Sequence, residues 1–186
     1  MPLLPLETTL FPEDLLSRSE QRLDEVWWVL HTRPRAEKAL TRQLLARELC
    51  FYLPLHERRW QSRGRSLSSF LPLFPGYVFL HGDPHARRQA LETNFLTGVL
   101  QVTDQQGLLN DLLRIQRLIE AGSALTPEER LEPGTAVEII SGPLMGMQGT
   151  ILRRGKRLKL LVAVHFLQQG VSVEVESQMI QPLSTQ

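Results

Sequence analysis

A chain of 186 residues can form one domain or two small ones, each with a modest core. Its 42% hydrophobic and 22% charged content excludes a disordered chain, and no run approaches the roughly 20 apolar residues of a membrane helix. The net charge of +1 conceals an acidic leader, because residues 1–25 hold Glu7, Glu13, Asp14, Glu20, Asp24 and Glu25 against Arg18 and Arg22. That leader has no early basic cluster and does not read as a secretory signal. The single cysteine, Cys50, excludes an internal disulfide and a cysteine metal cluster. Between Leu49 and Phe51 it reads as a small buried hydrophobe. Together these features favour the cytoplasm.

In chain order, residues 1–25 read as a loose extension with one helical turn near Glu13–Arg22. Val26–Leu30 is β-branched and aromatic, so it reads as a buried strand. From Arg35 to Leu49 the apolar positions Ala36, Ala39, Leu40, Leu44 and Leu45 recur at helical spacing. Phe51–Leu55 reads as the next strand. Glu57–Ser69, with Gly64 at its middle, reads as a mobile hairpin or loop. Leu73–Leu80 is a turn entering a strand, Pro84–Thr93 a second helix and Gly98–Thr103 a last strand. This order is that of a ferredoxin-like α/β sandwich.

An amphipathic helix, Leu108–Ala121, follows, carrying Leu109, Leu112, Leu113, Gln116 and Ile119. The polar stretch 123–132 reads as a linker. Four short strands come after it: Ala136–Ile140, Gln148–Arg154, Lys159–His165 and Val171–Glu176. Such close spacing favours a small SH3-like β-barrel, since closure removes exposed edges. The expected class is α+β, with an extension (1–25), a sandwich (26–122), a linker and a barrel (133–186).

No catalytic constellation assembles. The five histidines are scattered without metal-ligand spacing, and no Gly-x-Ser-x-Gly elbow occurs. The glycine run Gly142–Gly149 lacks both phosphate-loop spacings and leads into a strand, not a helix. The chain therefore reads as a binding protein, not an enzyme, with no cofactor and no metal.

The run Pro133-Gly134, Val137-Glu138-Ile139, Ser141-Gly142-Pro143, Gly146 and Gly149-Thr150-Ile151 resembles a KOW motif, with Gly142, Pro143, Gly146 and Gly149 at its turn. A generic SH3-like barrel with a glycine-rich turn is the alternative. Trp27 to Arg35, the arginine loop and Leu73-Phe74-Pro75-Gly76-Tyr77-Val78-Phe79 resemble the N-terminal domain of NusG-family elongation factors. The resemblance runs from Trp27 to Leu183.

The resemblance implies that Phe74, Pro75, Tyr77 and Phe79 line a hydrophobic surface for the clamp helices of the largest RNA polymerase subunits. It sets Arg88 and Gln89, with Arg87, near the opposite jaw of the cleft. It also implies that His31, Arg33, Arg35, Thr93 and Asn94 face the displaced non-template strand. Arg58, Arg59, Arg63 and Arg65 suit phosphates of upstream DNA, because guanidinium binds phosphate bidentately, and Trp60 suits a base. For each set the structural alternative is a core residue or a solvated polar surface.

The basic run Arg153, Arg154, Lys156, Arg157 and Lys159 reads as a solvated hairpin, or as a contact for RNA. The family implies a barrel partner such as a small-subunit ribosomal protein or a termination factor. The expected function is a monomeric elongation or antitermination factor, with the acidic leader leaning towards a specialised RfaH-like paralogue. Valine- and isoleucine-rich strands favour a β ground state for the barrel over a refolded helical form. The rival reading is a ribosome-associated, KOW-type RNA-binding protein.

Overall fold

The leader is not simply a loose extension: it adds an edge strand. Strand β1 (Leu10–Phe11) pairs antiparallel with residues Phe51 and Tyr52, and Leu53 N–H donates to the Thr9 carbonyl at 2.7 Å. Helix α1 (Leu15–Arg18) is the described part of the expected helical turn, and Leu15 and Leu16 are buried. The structure, a computed structural model, describes residues 7–18, 24–130, 132–154 and 156–183. The rest of the expected turn, 19–22, lies outside them. Two units are formed, 1–105 and 106–186. Among the described residues no helix is long and apolar enough to cross a membrane.

In the first unit, β2 (Val26–Thr32) leads to α2 (Glu37–Ala46), β3 (Cys50–Tyr52), β4 (Leu55–Ser62), β5 (Arg65–Pro72), β6 (Tyr77–Gly82), α3 (Pro84–Leu91) and β7 (Leu96–Gln101). The sheet runs β1-β3-β6-β2-β7, all antiparallel, which without β1 is the ferredoxin-like order. Alternation sends Leu30, Phe51, Val78 and Leu80 to one face, where they pack with Leu40 and Leu44 of α2 and Ala86 and Ala90 of α3. Asp83 caps α3, accepting from Ala86 N–H at 2.8 Å, and Pro84 follows at the first turn. The opposite face is buried too, through Trp27, Val29, Tyr52 and Phe79. Cys50 is half-buried at the start of its strand, not enclosed.

In the second unit, α4 (Gln105–Glu120) buries Leu108, Leu112, Ile115 and Leu118, whereas Leu113 is exposed. Of the positions expected along its faces, Leu109 and Leu112 are buried, while Gln116 and Ile119 are half-buried. The division after Gln105 also assigns this helix to the second unit, while the sequence pattern groups it with the sandwich. Asp111, on its buried side, accepts from Arg114 Nη2 at 2.5 Å and from His165 N–H at 2.8 Å.

Six strands follow: β8 (Thr126–Glu128), β9 (Thr135–Ile139), β10 (Gln148–Arg154), β11 (Arg157–Val164), β12 (Gln169–Val175) and β13 (Ile180–Pro182). They form an antiparallel sheet in the order β13-β9-β10-β11-β12-β8, which fits a small β-barrel. The expected linker therefore contains a strand. Ser172, fully buried, donates to Glu128 at 2.6 Å and Lys159 donates to Thr126 at 3.2 Å, which holds β8 on its edge. Pro127 and Pro182 sit on the two outermost strands, where a missing N–H costs no ladder bond.

Gly149 explains itself sterically. It lies on β10 opposite Val137, and a Cβ there would stand 2.4 Å from the Leu161 carbonyl oxygen of β11. That neighbour is backbone and cannot swing away. Gly149→Ala is expected to destabilise the chain by about 1–3 kcal/mol, the range for overpacking, read as a lowered urea midpoint at unchanged slope.

Candidate functional site

The segment Phe74-Pro75-Gly76-Tyr77 is a four-residue turn. Tyr77 N–H donates to the Phe74 carbonyl at 3.1 Å, and Gly76 has φ 86°. Proline second and a left-handed glycine third is the signature of a type II turn, which explains why this pair stands here. The remaining groups of Gly76 are also held. Its N–H donates to the Glu37 carboxylate at 2.7 Å, and its carbonyl accepts from Thr32 N–H at 2.8 Å. Glu37 is 6% exposed at the first turn of α2. The turn is thereby fastened to both the helix and the central strand.

This arrangement divides the four expected polymerase contacts. Pro75 is exposed and Tyr77 half-buried, but Phe74 and Phe79 are 1% and 0% exposed and meet edge to face at 6.2 Å. Phe79 also packs on Tyr52 at 6.4 Å. These two phenylalanines are core residues supporting the turn, and they do not line a surface. Tyr77 and Phe79 do share a sheet face, as alternation requires, but only Tyr77 reaches its margin.

Tyr77 lies against His31 across the β2–β6 pair, ring centroids 5.1 Å apart. His31 is exposed, and its Nδ1 is 2.7 Å from the Thr97 hydroxyl of β7. Arg33 and Arg35 are exposed in the following loop, where Arg33 N–H donates to the Phe95 carbonyl at 2.8 Å. That bond joins the loop to Thr93 and Asn94, so the two segments meet. Thr93 is half-buried and uses its hydroxyl on the Ala90 carbonyl, while Asn94 is exposed with φ 60°. Thr97 and Glu37 escaped the sequence reading, because a lone threonine or a helical glutamate carries no local signal.

Arg88 is exposed and Gln89 half-buried on α3, in the helix layer. Beside them the Arg87 guanidinium lies 5.3 Å from the Trp28 ring centre, a cation–π contact.

The arginine segment is a hairpin, the first of the two expected forms. Among the described residues, strands β4 and β5 pair only with each other, from Leu55↔Pro72 to Ser62↔Arg65, and Arg63 and Gly64 turn with φ 49° and 74°. Two positive values fit a type I′ turn, whose twist suits a hairpin. Lys38 anchors the base by donating to the Phe70 carbonyl at 2.7 Å. Arg58, Arg59, Arg63 and Arg65 are all exposed, but Arg59 donates to Glu57 at 2.6 Å. That hydrogen bond holds the Glu57 carboxyl below the usual carboxylate range. At the base, burial and then the neighbouring Arg58 charge hold the His56 imidazole below its ordinary value.

In the second unit, Gly142 and Gly146 have φ 84° and 82°, and Gly146 N–H donates to the Ile139 carbonyl at 2.7 Å, closing the turn that contains Pro143. The basic run is partly neutralised, since Arg157 donates to Glu174 at 2.6 Å, while Arg153 and Lys156 are exposed. Among the described residues, no group of three His, Cys, Asp or Glu is placed to hold a metal ion.

Residues 25–116 match the family model described as transcription termination factor nusG. The matched stretch is similar to that family. A structure of NusG from Thermotoga maritima is similar at 19% identity and a TM-score of 0.51, over 86% of this chain and 98% of that one. A chain of the MjSpt4:Spt5 complex aligns at 16% identity and a TM-score of 0.27, over 86% and 97%. Among curated proteins, no match is found. At these identities the Thermotoga maritima likeness concerns the fold, and the NusG-like α+β architecture follows from it.

Two expectations come from this geometry. Glu37→Ala leaves the Gly76 N–H without its acceptor and should cost about 1–3 kcal/mol in urea unfolding, with Glu37→Gln milder because an acceptor oxygen remains. His56, held low in the folded chain, makes stability complete above pH 6.5 and lowers it as pH falls through the folded value. Urea midpoints measured from about pH 7.5 to about pH 5 should therefore drop more steeply in the native chain than in His56→Gln.

Proposed function

We propose that the chain is a NusG-type transcription elongation factor that binds RNA polymerase and reduces pausing or termination. The observation that carries this reading is the family match over residues 25–116. The geometry of the Phe74–Tyr77 turn supports it. A proline and a tyrosine stand at the sheet margin on a backbone fixed by Glu37, with two phenylalanines packed beneath. A rigid, shallow aromatic edge suits the apolar side of a helical partner, because such residues bury area at low entropic cost. The polymerase contact is accordingly assigned to Pro75 and Tyr77, with Arg88 and Gln89 as a second contact.

His31, Arg33, Arg35 and Asn94, brought together by the Arg33–Phe95 bond, form a basic loop cluster suited to a nearby nucleic-acid strand. The second unit acts as a KOW-type module that recruits further factors, and tethering raises its local concentration at the polymerase. The protein acts without catalysis or cofactor, in the cytoplasm, as a specialised RfaH-like paralogue.

The test is co-elution of the full chain with purified RNA polymerase on gel filtration, paired with elongation on a paused template. Tyr77→Ser should weaken binding at least about ten-fold, the loss expected of an interface anchor, while circular dichroism stays native. Phe79→Ser should lower thermal stability instead, by the few kcal/mol of a buried aromatic truncation. Elution of the native chain apart from the polymerase overturns the reading.

A further inference from the structure

We propose that one face of the β4–β5 ribbon is a stacking site for single-stranded nucleic acid. Trp60 serves as the base platform, and Arg58 and Arg65 contact the flanking phosphates. The inference deepens the nucleic-acid part of the proposed function and is testable without polymerase.

The register separates the ribbon into two unlike faces. Arg58↔Ser69, Trp60↔Leu67 and Ser62↔Arg65 alternate onto one face, and Glu57↔Phe70, Arg59↔Ser68 and Gln61↔Ser66 onto the other. On the second face Arg59 is paired with Glu57. On the first face no carboxylate pairs with Arg58 or Arg65 among the described residues. The four arginines that look equivalent in sequence are therefore not equivalent in charge available to a ligand. Arg58 lies two residues before Trp60, and Arg65 stands opposite Ser62, two residues beyond it. At a strand's rise per residue, positions 58 and 62 lie about 7 Å from position 60 on either side, so the two arginines stand before and beyond the ring along the ribbon.

The exposure of the apolar pair needs an explanation. Trp60 and Leu67 are each 42% exposed, directly opposite one another, on a ribbon that no third strand joins among the described residues. A large aromatic held out on a two-stranded ribbon adds little to a core. A flat ring between two unpaired guanidinium groups matches a ligand that carries both π-faces and regularly spaced negative charge. An acidic peptide would use the arginines but offers no flat partner for the indole. Duplex DNA offers the phosphates, but its base faces are stacked inside. An unstacked strand supplies both.

The experiment is anisotropy of a labelled oligonucleotide of about 12 nucleotides titrated with the full chain. It is run as single-stranded DNA, single-stranded RNA of the same sequence, and duplex DNA. Single strands should bind about ten-fold more tightly than the duplex, and Trp60→Leu should remove about that factor while Trp60→Phe retains most of it. Arg58→Gln and Arg65→Gln should each flatten the slope of log affinity against log salt by about 0.7. Arg59→Gln should leave the slope and affinity within two-fold of the native chain.

A preference for RNA over DNA names a transcript as the source, and the reverse names a melted DNA strand; both retain the site. Duplex binding equal to or stronger than single-strand binding, native affinity in Trp60→Leu, equal losses in Arg59→Gln and Arg58→Gln, or no binding at all overturns the proposal. Tyr77→Ser, assayed on the same oligonucleotides, should bind as the native chain does. Failure at the polymerase surface is thereby distinguished from failure here.

Discussion

The buried carboxylate of Glu37 holds the peptide N–H of Gly76, and the turn at the sheet margin of the first unit depends on that bond. An unsatisfied amide at this depth is costly, so the acceptor and the turn are mutually required. Once Gly76 is held, its carbonyl is set to receive Thr32, and β6 begins in register with β2. Phe74 is then directed inward against Phe79, Pro75 outward, and Tyr77 onto His31. The adjoining Leu73 N–H donates to the Pro54 carbonyl at 2.9 Å, which closes the base of the ribbon a few residues away. One helix glutamate thus sets the position of two surfaces that are separate in sequence.

The second unit is organised by close backbone approach. Gly149 leaves room for the Leu161 carbonyl, and Asp111 collects donors from its own helix and from the turn at His165. The side chain of His165 adds a contact, Nδ1 to the same carboxylate at 3.0 Å. A carboxylate meeting several donors resists separation from any one of them, so α4 and that turn behave as one piece within the unit. The family match ends inside α4, past the division at Gln105, so the matched segment and the packed unit do not share a boundary.

Much of the fold was legible in the sequence because it rests on periodicity. The alternation of Val26–Leu30, the helical spacing after Ala36 and the short strands after Gly134 each report which face meets a core. Proline and glycine at 75 and 76 likewise announced their turn. What was not legible depends on distant partners. Nothing local says that Phe74 and Phe79 are enclosed, because an aromatic strand with two apolar faces is compatible with either a core or a docking surface. Leu113 could not be sorted from the buried positions of α4, because it and Ile119 extend the apolar sector of that helix. Strands β1, β8 and β13 were missed because two or three residues carry no period, and their pairing is fixed by hydrogen bonds to β3, β12 and β9. The arginines of the ribbon could not be sorted without the register, which alone separates Arg58 from Arg59.

The two outermost strands of the second sheet, β8 and β13, are three residues long and each carries a proline. An open rim with free amide groups recruits further strands from neighbouring molecules, whereas a short rim interrupted by an imide does not. The six-stranded layer can therefore stay single at high protein concentration. It does so by ending, at either side, in residues that cannot continue the pattern they belong to.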